Sequence, residues 1–193
     1  TPMNSILGFT QLLSLDNENP LLDYQKENLE RVSSAGNHLL NLISEVLDLS
    51  KIESGNSDID LETVDLVPIV DNVISISLAI ADQKNVSIKY EKIPEASFFV
   101  DADPLRLKQV VLNLISNSIK YNFAKGSVVV SFERLMNGNI RLGVKDTGCG
   151  ISDDNKKKIF KPFERFHEDL ETIEGTGIGL TISKQFVELM GGA

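Results

Sequence analysis

Asn113-Leu114-Ile115-Ser116-Asn117-Ser118-Ile119-Lys120-Tyr121 is the stretch on which the fold of this chain turns. It closes a strongly helical segment, Asp103–Tyr121, in which Leu105, Leu107, Val110, Val111, Leu114, Ile115 and Ile119 supply the apolar residues. Steps of four and three put Asn113, Asn117 and Lys120 along one helical face. An amide oxygen is a suitable hard ligand for Mg2+, and a nearby ammonium can meet phosphate oxygens. Alone, the same spacing also fits a polar surface stripe, so the flanking sequence has to decide.

Around this helix the pattern mixes helix and strand. Leu66–Ala81 reads as a helix with Asp65 near its start, Val86–Tyr90 as a strand and Ser97–Val100 as a second short one. Beyond it, Ser127–Leu135 and Ile140–Lys145 flank Asn137-Gly138, a hairpin signal. Ser152 can cap a short helix running into Phe160, and Gly179–Met190 is a last helix. Helices and a mainly antiparallel sheet in separate layers make this region α+β.

Three further clusters fall in the same region. Asp146-Thr147-Gly148-Cys149-Gly150-Ile151 ends a strand. A carboxylate there can accept from adenine's exocyclic amine, and the glycines let the backbone approach a base; a plain turn has the same composition. Phe160-Lys161-Pro162-Phe163-Glu164-Arg165-Phe166 interleaves aromatics with cations, and Arg165 offers a guanidinium for a terminal phosphate. Gly175-Thr176-Gly177-Ile178-Gly179-Leu180 runs directly into a helix, where backbone N–H groups form a phosphate site. No strand leads into it, so it is not a dinucleotide fingerprint. The polar segment His167–Glu174 before it reads as a lid.

Residues 1–54 have another character. Pro2 suits a first helical turn, and Ile6, Leu7, Phe9, Leu12 and Leu13 build a broad apolar face. Asp16-Asn17-Glu18-Asn19-Pro20 breaks the helix. A longer helix from Leu22 carries Leu29, Val32, Gly36, Leu39, Ile43 and Val46 in alternating steps of four and three, widened by Leu40 and Leu47. Ser54-Gly55-Asn56-Ser57 ends it. Two such helices do not close a core by themselves, and a homodimeric four-helix bundle is the economical solution. Packing of both helices against the rest of the chain is the alternative.

Composition sets the outer limits. The chain has 193 residues, 41% hydrophobic and 24% charged, with 19 Lys and Arg against 28 Asp and Glu. A net charge of -9 argues against broad nucleic-acid or anionic-membrane binding, though a local basic pocket can still hold a nucleotide. The single cysteine, Cys149, rules out a disulfide within the chain and fits a reduced cytoplasmic protein. No uninterrupted apolar run reaches the roughly 20 residues of a membrane span. The longest, around Ile74–Ala81, is broken by Ser75 and Ser77. No signal-peptide pattern opens the chain, and both ends read as cuts, the second inside an unfinished element.

Taken in order and spacing, the four clusters resemble the N, G1, F and G2 boxes of the histidine-kinase catalytic domain, within the gyrase-like ATPase superfamily. The resemblance covers essentially the entire chain. Thr1-Pro2-Met3-Asn4-Ser5-Ile6-Leu7-Gly8-Phe9 looks like the segment following the phosphoacceptor in the family pattern His-Glu-x-x-Thr-Pro. His38-Leu39-Leu40 and Leu47-Asp48-Leu49-Ser50-Lys51-Ile52-Glu53-Ser54-Gly55 resemble the second dimerisation helix. The resemblance implies residues 1–55 as dimerisation and phosphotransfer helices and 56–193 as an ATP-binding α+β sandwich lacking its closing strands.

It implies, further, that Asn117, supported by Asn113, serves Mg2+, and that Lys120 and Arg165 address phosphates. Tyr121 and Ile151 would line the nucleoside pocket, and Asp146, with Gly148 and Gly150 beside it, would read adenine. Gly175, Thr176, Gly177, Ile178, Gly179 and Leu180 would shape the lid and its phosphate contacts. The phosphoacceptor would lie four residues before Thr1, and Thr1 would match a residue used in the family's phosphatase reaction. Neither His38 nor His167 replaces the acceptor. Hydrolase relatives carry a glutamate base where this chain has Asn113, an amide unable to take a proton. The expected activity is therefore transfer of the ATP γ-phosphate to a histidine and onward to an aspartate of a response-regulator receiver domain. A nucleotide-binding dimerisation module without phosphotransfer is the alternative.

Overall fold

The computed structural model describes residues 2–16, 19–55, 59–91, 97–164 and 175–193. The chain divides into two compact units, Thr1–Asn56 and Ser57–Ala193.

The first unit is a helical hairpin of α1 (Pro2–Ser14) and α2 (Asp23–Glu53). Gln25 accepts from the Leu22 N–H at 2.9 Å and so satisfies one orphan donor at the entry to α2. At the other end Gly55 takes φ +69, the left-handed geometry that stops a helix without a Cβ penalty. Where the helices meet, Gly36 is buried and packs against Leu7 and Met3 of α1. Much of the apolar stripe stays exposed: Phe9 67% and Leu12 66% on α1, Leu39 45% and Ile43 43% on α2.

The second unit contains β1 (Glu62–Asp65), α3 (Leu66–Gln83), β2 (Ser87–Glu91), β3 (Phe99–Ala102), α4 (Pro104–Lys120), β4 (Ser127–Arg134), β5 (Ile140–Asp146), α5 (Asp153–Lys156) and α6 (Gly179–Leu189). β1 and β3 form a small antiparallel pair, and a three-stranded sheet runs β2-β4-β5. β4 and β5 are antiparallel, with Val130 opposite Val144, while β2 lies parallel to β4, with Lys89 opposite Val129. Val70 and Val73 of α3, Val111 and Ile115 of α4, and Val128 and Val130 of β4 are completely buried together. Burying one such side chain stabilises by about 1.5–3 kcal/mol, so this layer of two helices on a sheet is the unit's core.

Local chemistry sets the ends of the helices. Asp103 caps α4 by accepting from the Leu105 and Arg106 N–H groups, with Pro104 in the first turn. Asp65 caps α3 through Val67 N–H and also accepts from Phe98 N–H, which ties the α3 entry to β3. By length and composition α3 is apolar enough to cross a membrane, more than its interrupted run suggests. Its Leu66, Val70, Val73, Ser77 and Ala81 are buried, as in a core helix.

Several boundaries differ from the sequence expectation. β1 was not foreseen, and the strand expected at Ser97–Val100 is shifted to Phe99–Ala102. Phe98 instead turns its ring into the core at 2% exposure. The helix expected to run into Phe160 stops at Lys156, although Ser152 caps it through Asn155 N–H as anticipated. Beyond it, Lys158 N–H at 2.8 Å and Ile159 N–H at 3.0 Å share the Asn155 carbonyl in a closing turn.

Candidate nucleotide site

The C-terminal half of α4 carries the candidate residues, and two glycine loops close on it. Asn117 Nδ2 donates to Asn113 Oδ1 at 3.2 Å, and Asn113 Nδ2 donates to Ser183 Oγ on α6 at 2.8 Å. One turn on, Lys120 lies with its ammonium 5.3 Å from the centre of the Tyr121 ring. Lys84, at the end of α3, donates to the Lys120 carbonyl at 3.0 Å and places a cation at the negative end of α4.

The first loop follows β5. Asp146 Oδ1 accepts from the Gly148 N–H at 2.8 Å, an Asx-type turn that aims the carboxylate locally. Ser118 Oγ of α4 donates to Asp146 Oδ2 at 3.4 Å. Gly148 presses on the Tyr121 carbonyl oxygen so closely that a Cβ there would overlap it. Thr147 links loop and helix: its hydroxyl donates to Asn122 Oδ1 and accepts from Ser127 N–H. Asn122 Nδ2 in turn reaches the Ser118 and Ser127 carbonyls, both at 3.1 Å. Ile151 is 45% exposed beyond the loop, and Cys149 is exposed within it.

The second loop enters α6 and also meets α4. A Cβ on Gly175 would meet Lys120 Nζ, and one on Gly179 would meet Asn113 Oδ1. Gly177 takes φ +73 and receives the Phe163 N–H on its carbonyl at 3.0 Å. Thr176 Oγ1 accepts from Ile178 N–H at 3.2 Å, and Ile178 is fully buried, anchoring the loop from below. Leu180 is half-buried in the first turn of α6. The aromatic segment is tied to the same helix: Thr181 Oγ1 donates to the Phe160 carbonyl at 3.0 Å, and Lys184 lies 5.2 Å over the Phe160 ring.

Thus Asn113, Asn117, Lys120 and Tyr121 are brought together with Asp146 and Gly148 on one side and with Gly175, Gly177 and Gly179 on the other. Arg165, His167 and Thr1 lie outside the described residues. Sequence reasoning missed Ser118, Asn122 and Ser183. Ser183 had one available signal, its place one helical turn after Gly179 on the same face of α6. Chemically, the cluster offers an amide pair, an ammonium, a carboxylate turned by its own loop, and a helix N-terminus. These are the groups that bind a purine at one end and a polyphosphate with a hard cation at the other.

With that geometry in place, comparison with known proteins is informative. Residues 1–55 match the family model of the His Kinase A (phospho-acceptor) domain. Residues 102–193 match that of the histidine kinase-, DNA gyrase B-, and HSP90-like ATPase. Histidine protein kinase DivJ of Caulobacter vibrioides is 34% identical over 192 residues, covering 100% of this chain and 32% of DivJ. Cell-division control histidine kinase PdhS of Brucella abortus is 33% identical over 202 residues, covering 97% of this chain and 19% of PdhS. The chain thus spans a third or less of the length of these curated relatives. The crystal structure of full-length ShkA in complex with AMPPNP matches with a TM-score of 0.78 at 28% identity, covering 100% of this chain and 39% of ShkA.

Proposed function

The chain belongs to the histidine kinase family, and from that premise we propose that it is the ATP-dependent core of a two-component protein-histidine kinase. The observation that carries this reading is the convergence of both glycine loops on the C-terminal half of α4, Gly148 at Tyr121 and Gly175 and Gly179 at Lys120 and Asn113. A ligand with a base at one end and phosphates at the other would use all of these groups at once.

In this reading Asp146, held by Gly148 N–H and Ser118, accepts from adenine's amine, while Tyr121 and Ile151 flank the nucleoside beside Gly150. Lys120 and Arg165 hold phosphate oxygens, and the N–H groups at Gly175–Leu180 complete the phosphate cradle. AMPPNP, bound in ShkA, is an ATP analogue and supports the same ligand here. The residues also fit Mg2+, which takes one or two protein oxygens together with substrate phosphates rather than an all-protein cage. Asn117 would supply that oxygen, because its nitrogen end is engaged by Asn113. When bound, Mg2+ neutralises charge on the phosphate oxygens. The chain's own task is to align the γ-phosphate with an attacking imidazole, which needs position and charge more than a base. Asn113 cannot act as a base toward water, which favours transfer over hydrolysis.

The acceptor imidazole belongs, on this reading, to a histidine four residues before Thr1 in the longer protein, and the phosphoryl group passes on to a response-regulator aspartate. The exposed stripe of Phe9, Leu12, Leu39 and Ile43 supports a homodimeric four-helix bundle. Use of ATP supports a cytoplasmic location for this core, whether or not the longer protein is anchored in a membrane. Thr1 would orient a water for the reverse, phosphatase reaction. Thr1→Ala should then lower dephosphorylation of the partner and spare autophosphorylation; equal loss of both, or of neither, removes that role.

The test of the kinase reading is incubation of the longer protein with γ-labelled ATP and Mg2+. Acid-labile, base-stable label on the protein is expected. Nucleotide binding without any such label would favour the dimerisation module instead.

A further inference from the structure

One buried polar side chain of α6 touches the site and has no part in the scheme above. Ser183 lies one turn beyond Gly179 on the same face of the helix and is 7% exposed. Its hydroxyl accepts from Asn113 Nδ2 at 2.8 Å, and Asn113 Oδ1 accepts from Asn117 Nδ2 at 3.2 Å. We propose that Ser183 is a positioning residue for the metal ligand: through Asn113 it turns the Asn117 amide so that Oδ1, not Nδ2, is presented to Mg2+. The proposal rests on the nucleotide-site reading and adds the group that sets its polarity.

The reasoning starts from the symmetry of an amide. Its oxygen and nitrogen ends are almost the same shape, and only hydrogen-bond partners choose between the two orientations. Within an Asn113–Asn117 pair, either residue can donate to the other. If Asn113 donated, Asn117 would turn its nitrogen toward the cation, and an amide N–H is no ligand for Mg2+. Something beyond the pair has to choose, and the structure places that group on α6.

Two features of α6 act on the Asn113 amide together. Gly179 admits it: a Cβ there would overlap Oδ1, while Nδ2 stands 3.3 Å away. The oxygen end therefore lies nearest the first residue of α6, where the N–H groups of the first turn and the positive end of the helix dipole favour it. The nitrogen end is left for Ser183, whose hydroxyl can donate or accept and here accepts, because the start of α6 has already claimed the oxygen end. One face of α6 thus sorts both ends of Asn113, and Asn117 is obliged to donate. The polarity of the metal ligand on α4 is in this way set by the helix that follows the phosphate loop.

Calorimetric titration of the chain with ADP, once with Mg2+ and once in EDTA, tests this without any activity assay. Ser183→Ala and Ser183→Val are expected to lose about tenfold of the Mg2+-assisted affinity, the usual effect of removing a ligand-orienting partner. Affinity in EDTA should not change, because base and phosphate contacts are intact. Ser183→Thr, which adds the same bulk as valine but keeps the hydroxyl, should retain the parent's Mg2+ enhancement. Threonine and valine variants that fall alike, or a loss equally large in EDTA, overturn the proposal in favour of packing. Ser183→Ala with the full parental enhancement overturns the relay and leaves the site standing. A parent chain with no Mg2+ enhancement overturns both.

Discussion

Alanine at Gly148 and alanine at Gly175 should have opposite signatures, although both glycines lie in the same site. A Cβ on Gly148 would overlap the Tyr121 carbonyl oxygen and stand 3.0 Å from both the Tyr121 carbonyl carbon and Asp146 Oδ1. Two of those atoms are backbone at the end of α4, where Tyr121 N–H is bonded to Asn117 O and Tyr121 O accepts from Cys149 N–H. Backbone held on both sides does not step aside, so the loop has to move as a whole. Overpacking of this kind costs about 1–3 kcal/mol. At roughly 2–4 °C per kcal/mol for a chain of this size, the second unit should melt about 2–12 °C lower. A Cβ on Gly175, by contrast, would meet Lys120 Nζ, with Lys120 Cε at 3.7 Å and Tyr121 Oη at 3.9 Å. The end of a lysine side chain swings away at little cost, so the melting temperature should hold to within about 1–2 °C. What it loses is its place: with the ammonium displaced, ADP affinity should fall about tenfold, the worth of one charged hydrogen bond. Circular-dichroism melting and ADP calorimetry on both variants are sufficient. Gly148→Ala melting with the parent, or Gly175→Ala melting many degrees early, would refute the idea that the atom met by the new Cβ decides the outcome.

Asp146→Asn should weaken ADP at least tenfold with little change in melting, since an amide can still accept from Gly148 N–H but no longer offers two acceptor oxygens; unchanged calorimetric affinity would remove Asp146 from the site. Ile43→Asp should convert a homodimer into a monomer in sedimentation, because Ile43 is 43% exposed in the single chain and a charge there would be buried in the apolar seam. A parent that is monomeric at high concentration would sink the bundle. Burial, then Asp71, then Asp65, push the Tyr90 hydroxyl up to about 12. The folded state therefore holds that proton more tightly, and its contribution to stability is full below pH about 10 and lost as pH rises through about 12. Ultraviolet titration should show a late phenolate step that Tyr90→Phe abolishes; a step unaltered by that substitution would assign it elsewhere.

The helices were legible because their information is local. α4 announces itself through Val110, Val111, Ile115 and Ile119, and its buried residues are these with Ser118. Strand placement was less legible because its information is not local. Glu62-Thr63-Val64-Asp65 is too short and polar to read as a strand, and it is one because Glu62 pairs with Ala102 and Asp65 with Phe99. Nor does any stretch of sequence announce that β2 runs parallel to β4, a pairing that depends on the path of the chain through β3 and α4.

The same division runs through the site. Asparagine pairs, Asp146 and the glycines stood out because their residue types are rare in helices and strands unless chemistry or backbone geometry calls for them. Ser118 and Ser183 did not, since a helical serine is commonplace and its meaning lies in a partner distant in sequence. Ser118 meets Asp146 28 positions away, and Ser183 meets Asn113 70 positions away. Sequence therefore exposes the groups that would face a ligand, whereas the groups that aim them emerge only when α4, the β5 loop and α6 are seen together. That asymmetry has a physical cause. A ligand-facing group is selected for its own chemistry, but an aiming group needs only one hydrogen bond in the right place, which several ordinary side chains can supply.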